Sequence, residues 1–400
     1  MKISRYRIGY LSAGLALSCI VLAGAAAAAQ SGEDRTPMST KMLIDGRVAQ
    51  GYDSNALRLS DTVGRRGGTF TDVQGSFTLD QKFSKRWFAG ADLGVTARQY
   101  YGDVRDASAR NYAARVSGGM RLPSLVAHHR STLELGLAYR IDDLTYVDPS
   151  SGQVATSGGE SIGERYDAST VALDAVGTVP VMQSVDLVLK AAVKRRNYRN
   201  DYDSLDLEPL DYTEYSLEPG IRWKGELQRA RLTLPVQWRR FRDRRARDQA
   251  GNYLDGTDLA YRYYGVEGKY ERALTQTISL EAQAKFQDRR DSEGGYYDRT
   301  RWSASLGAGI DVAEGKRCSA DVAYSTLHYR RVTAGNEDVN EEQPDSHGWS
   351  VGTSYGAGLP IWDMSAFAQL RWDTFGSPTA RSNYDRWQVW AGVRKGFSIF

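Results

Sequence analysis

From Lys41 to the C-terminus, apolar and polar residues alternate with a period of two in one segment after another. In the last such segment Trp387, Val389, Ala391 and Val393 share one parity, while Arg386, Gln388, Trp390, Gly392 and Arg394 share the other. Successive side chains of a β-strand point to opposite faces, so this pattern builds a ribbon with one oily and one polar side. Comparable apolar parities are Leu133, Leu135, Leu137 and Tyr139; Leu187, Leu189 and Val193; Leu232, Leu234, Val236 and Trp238; and Trp302, Leu306 and Ile310. Their alternate positions carry Glu134, Arg140, Lys190, Lys194, Arg231, Gln237, Arg301 and Asp311, a wet face.

The periodicity predicts sixteen strands, at 41-50, 69-83, 86-101, 110-122, 130-146, 165-180, 184-200, 212-225, 228-245, 259-272, 277-290, 297-312, 317-332, 347-359, 363-375 and 384-400. Their connectors alternate in length. Ser84-Lys85, Met182-Gln183, Glu314-Gly315-Lys316 and Pro360-Ile361-Trp362 are short, whereas Asp148 to Glu164, Asp248 to Asp258 and Ala334 to Ser346 are long and polar. Short turns at one end, long loops at the other and an even strand count predict an all-β fold, a transmembrane antiparallel up-and-down barrel with both termini on the short-turn side. Aromatic residues gather near strand ends, Trp87, Trp223, Tyr270 and Trp362 toward the turns and Tyr100, Tyr101, Tyr112, Tyr263, Tyr264, Trp349 and Trp372 toward the loops, as in the two interfacial girdles of such barrels.

Composition sharpens the picture. Tyr 24, Trp 9 and Gly 40 against Pro 10 is a strand-and-turn inventory. Lys2, Arg5 and Arg7, the apolar run Ile8 to Leu22 and the small residues Ala27-Ala28-Ala29 read as an export signal over 1–29. A short periplasmic tail over 30–40 then leads into a barrel over 41–400. Past the leader no run of eighteen apolar residues occurs, so strands must do any spanning. The leader takes three of the 52 basic residues, leaving 49 against 49 acidic ones, and this balance argues against a nucleic-acid partner. Cys318 becomes the lone cysteine, so neither an internal disulfide nor a cysteine metal site is expected.

Basic residues cluster where four successive outward-running strands end: Lys194-Arg195-Arg196 with Arg199, Arg239 to Arg247, Arg289-Arg290 and Arg330-Arg331. Alternation turns Lys194, Arg196, Arg239, Arg245, Arg289 and Arg331 inward, and Arg195, Arg240, Arg242, Arg244, Arg290 and Arg330 outward. Inward cations would concentrate anions, because a low-dielectric wall focuses their field. Outward ones suit lipopolysaccharide phosphates, which accept bidentate guanidinium bonds. Asp201, Asp203, Asp243, Asp248, Asp288 and Asp291 stand among them, so cross-strand ion-pair ladders are an equally direct use of the charge. Tyr198, Tyr263 and Tyr329 share the inward parity and offer aromatic platforms for sugars.

No catalytic constellation is expected. His128 and His129 fall in a turn, His328 and His347 near the outer ends of neighbouring strands, and Asp345-Ser346-His347 is a mere adjacency. Glycine-rich phosphate cradles and dinucleotide fingerprints are lacking, so no cofactor is expected.

Gly51-Tyr52-Asp53-Ser54-Asn55, leaving the first strand, resembles the opening motif of the β-barrel porin 2 family of bacterial outer-membrane proteins, which often continues with Pro where this chain has Ala56. The resemblance implies a full-length barrel, and the terminal Phe400 separately resembles the aromatic end of substrates of the barrel-assembly machinery. The family resemblance also implies, for some members, association with exopolysaccharide-export partners. The expectation is thus a Gram-negative outer-membrane porin passing small, anionic solutes. The alternatives are a conduit for an acidic exopolysaccharide and a structural or adhesive barrel plugged by its loops.

Overall fold

The computed structural model describes residues 39–399 apart from 61–62, 124–125, 127–128, 149–150, 200–206, 332–344, 361–363 and 378–382. The segment 1–29 expected as a leader, His128, Asp201, Asp203, most of the loop from Ala334, the turn at Ile361-Trp362 and Phe400 lie outside the described residues.

Sixteen antiparallel strands form one sheet. They are β1 (Ser39–Asp53), β2 (Gly68–Lys82), β3 (Trp87–Tyr100), β4 (Ala109–Leu122), β5 (Ser131–Leu144), β6 (Ala168–Met182), β7 (Val185–Tyr198), β8 (Tyr212–Lys224), β9 (Gln228–Thr233 and Val236–Arg247), β10 (Tyr253–Ala273), β11 (Ile278–Asp291), β12 (Arg299–Ala313), β13 (Lys316–Tyr329), β14 (Ser346–Gly358), β15 (Met364–Gly376) and β16 (Tyr384–Ile399). Each pairs with its sequence neighbours, and β1 pairs with β16 from Met42 opposite Ile399 to Asp53 opposite Gln388. The sheet therefore closes on itself and leaves no free edge, the condition for strands to cross hydrocarbon with every backbone group satisfied.

Alternation decides which side chains face out. Leu135, Leu173, Leu189, Leu232, Leu306 and Val389 stand exposed on the outer wall, while Asp72, Glu214, Arg289, Arg386 and Gln388 are buried on the inner one. An apolar belt running round every strand is untenable in water and suits a bilayer. The belt includes Trp87, Trp238, Tyr264, Trp302, Trp349, Trp372 and Trp387. Tyr100, expected near the loop-side girdle, instead points inward and is buried, and Tyr263 is buried on the inward parity that alternation gave it.

Two departures from strict periodicity have physical causes, and two strand starts differ from expectation. Pro235 has no N–H to give the ladder, so β9 breaks at Leu234-Pro235, although the Pro235 carbonyl still accepts from the Gly265 N–H. Within the second half of β9, Asp243 adopts a φ of 60° and the register against β10 shifts between Arg240 and Arg245. Finally, β10 begins at Tyr253 rather than near 259, which shortens the preceding loop, and β1 begins within the stretch expected as a tail.

Candidate functional site in the barrel lumen

Closure of the barrel brings together residues far apart in sequence. At the loop end of the β1–β16 seam, the Asp53 carboxylate is fully buried and accepts from Arg386 Nε (3.0 Å to each oxygen), Arg386 Nη2 (2.5 Å), the Tyr100 hydroxyl (2.6 Å), Gln388 Nε2 (2.8 Å) and the Asn55 N–H (3.1 Å). Asn55 in turn bonds both backbone groups of Leu59, through Nδ2 to its carbonyl and Oδ1 to its N–H. These bonds turn the first loop back onto the inner wall, where Ala56 and Leu57 pack against Phe70, Tyr100, Val104 and Trp390. Gly51 lies so close to Trp390, Val389 and Phe70 that a Cβ there would sit 2.5–2.8 Å from them. Each conspicuous residue of the motif thus has a packing or bonding role.

The inward fold of this loop places Arg58 on the wall of a cavity of about 740 Å³ within the barrel. Arg98 of β3 lies beside it; Lys285 of β11, Arg301 of β12 and Arg371 of β15 line the same cavity, and β11 is diametrically opposite β3 in a sixteen-stranded ring. Six cationic side chains, Arg386 included, meet a single lining carboxylate, Asp373, so the local field is positive. Several of these cations are backed by acids: Arg98 by Asp72 (3.0 Å), Arg386 by Asp53, Lys285 by Glu267 (3.8 Å) and Arg371 by Asp373 (2.8 Å). Arg58 has no carboxylate partner among the described residues.

Farther along the wall, the expected basic ladder is tied up in ion pairs and hydrogen bonds. Glu214 is clasped by Lys194 (2.7 Å) and Arg239 (2.7 Å), and Asp142 by Arg196 (3.0 Å) and Arg140 (2.8 Å). Arg289 is buried, donating to the Tyr297 carbonyl (3.0 Å) and the Tyr329 hydroxyl (3.3 Å). Arg331 donates to the Gly294 carbonyl (3.2 Å) at the loop rim. Lys194, Arg196, Arg239 and Arg289 thus occupy the inner wall, but as members of bonded clusters.

Two expected orientations are reversed. The register shift at Asp243 inverts alternation beyond it, so Arg244, expected outward, is buried with its guanidinium 5.2 Å from the Phe241 ring centroid and 5.8 Å from that of Tyr297. Arg245, expected to line the lumen, stands opposite the exposed Asp258 of β10 in the ladder, ion-pairs with Glu208 (3.7 Å) and lies 4.1 Å from the ring centroid of Tyr253. A single non-glycine residue at positive φ produced both reversals, and period-2 reasoning has no means to see it.

The inward tyrosines form a packed seam. Tyr198, Tyr212, Phe241, Tyr261 and Tyr297 follow one another at ring separations of 6.4, 5.7, 5.3 and 6.1 Å, interleaved with Arg239 and Arg289 over their faces. Tyr296 and Tyr297 come from the loop between β11 and β12, which lies against the inner wall. Tyr263 and Tyr329 are each only 3% exposed, the first packed in this seam and the second against Arg289 and Arg299, so neither presents a face to a passing sugar; Tyr198 is partly exposed.

Arg58, Arg98, Lys285 and Arg371 were not singled out by sequence, because they are isolated cations on one loop and three separate strands, and only the closed ring makes them neighbours. Inward parity was the available signal, and it does place Arg301 in the wet interior.

No protein-family model matches the chain, and no curated protein matches it. Solved structures similar to it include an anion-selective porin from Comamonas acidovorans (12% identity, 90% of this chain and 99% of that one, TM-score 0.45) and a bacterial polysaccharide outer membrane secretin (12%, 90% and 98%, 0.43). OprD from Pseudomonas aeruginosa is a third (11%, 93% and 98%, 0.43).

Proposed function

We propose that this protein is a porin-like channel of the bacterial outer membrane, passing small solutes with a preference for anions. The observation that carries this reading is the polar cavity between Arg58 and Arg98 on one wall and Lys285, Arg301 and Arg371 on the others, enclosed by a barrel whose outer surface is apolar. A sixteen-stranded ring is wide enough to retain water after its inner side chains are placed. Inside a low-dielectric wall, an excess of fixed cations raises the local anion concentration without a deep binding site, which is what diffusion through a channel requires. The polysaccharide-conduit reading has less support, since Tyr263 and Tyr329 are packed away.

Reconstitution in a planar bilayer tests the reading. Discrete conductance steps, with a reversal potential in a salt gradient that reports chloride as the more permeant ion, are expected. Absence of conductance from protein shown to be folded would overturn it in favour of a plugged barrel.

A further inference from the structure

The outer wall carries arginines that ion pairing does not account for. On β10 and β11, Arg262 and Arg290 are direct cross-strand partners, and Trp238 opposite Arg262 on β9 is exposed on the lipid-facing side, so both guanidinia project outward. One rung nearer the loops, Arg195 of β7 and Arg240 of β9 flank Thr213 of β8 on a single row. Arg290 is shared between Asp288 (2.7 Å) and Asp298 (3.3 Å), and Arg330 reaches Asp288 at 3.5 Å. Among the described residues Arg195 donates to the Asn197 side chain (3.0 Å), and neither it nor Arg240 nor Arg262 has a carboxylate partner.

Like charges directly opposite on neighbouring strands are unfavourable, and the inner wall of these same strands shows how readily this sequence supplies acids where it needs them. An unneutralised row at the loop-side edge of an apolar belt calls for an anion from the membrane. The strands below the row supply the rest of an amphiphile's complement. About six residues toward the turns, roughly 20 Å along the strand, an apolar groove of about 700 Å³ opens on the outer face, floored by Gly268 and Ala284 and walled by Tyr270, Leu306, Tyr324 and Trp349.

We propose that Arg195, Arg240 and Arg262, flanked by Arg290, bind the phosphate groups of a phosphorylated glycolipid of the lipopolysaccharide type, with an acyl chain seated in the groove below. Guanidinium forks match phosphate oxygens bidentately, and a diphosphorylated headgroup bridges cations on neighbouring strands in a way that a single phosphodiester cannot. The inference rests on the outer-membrane placement proposed above.

The test uses the purified full-length barrel in detergent, with bisphosphorylated lipid A as the probe and retained lipid read by native mass spectrometry. The expected result is lipid A bound to the wild type, dephosphorylated lipid A bound on the order of tenfold less, and R240Q/R262Q reduced on the order of tenfold, as removal of charge-assisted bonds predicts. Heat-modifiable electrophoretic migration verifies that the variant is folded, and its conductance should match the wild type because neither residue faces the lumen. Equal retention by the variant, equal binding of the dephosphorylated lipid, or displacement by phosphatidylglycerol or inorganic phosphate at equal concentration would overturn the proposal. Phosphate-dependent lipid binding by a barrel that conducts nothing would overturn the channel reading alone.

Discussion

Asp53 near the end of the first strand and Arg386 near the start of the last are joined by a buried bidentate ion pair, across a sequence separation of 333 residues. The pair sits where β1 and β16 must find each other, with Tyr100 and Gln388 filling the remaining acceptor positions of the carboxylate. Such a contact is formed only by the closed ring, and so it discriminates closure from any open or slipped sheet.

Breaking this pair from one side strands a buried charge. D53N and R386Q are each expected to destabilise the folded barrel by about 3–5 kcal/mol, the usual cost of removing one partner of a buried pair. Denaturant unfolding in lipid vesicles, followed by tryptophan fluorescence, measures it. A loss below roughly 1 kcal/mol, the range of exposed pairs, would show that the seam does not depend on Asp53.

Gly51 packs against the partner strand with no room for a side chain. G51V is therefore expected to disrupt the β1–β16 seam, costing about 1–3 kcal/mol as overpacking does, whereas G46A, where a Cβ would meet nothing within 4 Å, should be close to neutral. Comparing their unfolding midpoints separates steric need from general strand propensity.

In the lumen, replacement of Arg301 and Lys285 by serine should move the chloride-to-cation permeability ratio toward unity, since both line the positive cavity. Arg195, on the outer wall, serves as the control; R195S should leave the ratio unchanged. Reversal potentials in a salt gradient give the comparison, and low ionic strength enlarges the effect because screening weakens.

A single carboxylate, Glu214, is ion-paired to two cations at once. E214Q should leave Lys194 and Arg239 uncompensated, costing about 1–3 kcal/mol of stability while increasing anion preference. Opposite signs in the two readouts would identify Glu214 as a stabilising acid that restrains selectivity.

In the loop between β5 and β6, the rings of Tyr146 and Tyr166 meet edge to face at 4.8 Å. Burial first, and the neighbouring Tyr146 second, raise the Tyr166 phenol above its ordinary pKa. A raised phenol pKa means that the folded loop holds the proton more tightly than the unfolded chain. Its contribution is therefore intact below about pH 10, the ordinary tyrosine value, and is lost as pH rises further. Tyrosinate absorbance of the wild type against Y166F, followed with pH, should show one late-titrating phenol missing in the variant.

How far the chain could be read in advance differed by level. Strand positions were legible because a two-sided sheet leaves a period-2 record in every segment, and the loops were legible because their composition abandons that record. The inward placement of Lys194, Arg196, Arg239 and Arg289 followed from the same parity. That of Arg244 and Arg245 did not, because the bulge at Asp243 reverses the side chains that follow it. The Gly51–Asn55 motif was visible as a motif, but its partners Tyr100, Arg386 and Gln388 were not.

The sequence by itself determined the repeating local choice, oily outward and polar inward, and with it the number of strands and the sidedness of the connections. Only the closed tertiary structure decided which polar residues meet: Asp53 with Arg386, Glu214 with Lys194 and Arg239, Arg98 with cations across the lumen. The reason is that alternation depends on neighbours two positions apart, whereas pairing inside a barrel depends on register and curvature summed over all sixteen strands, quantities that no single segment contains.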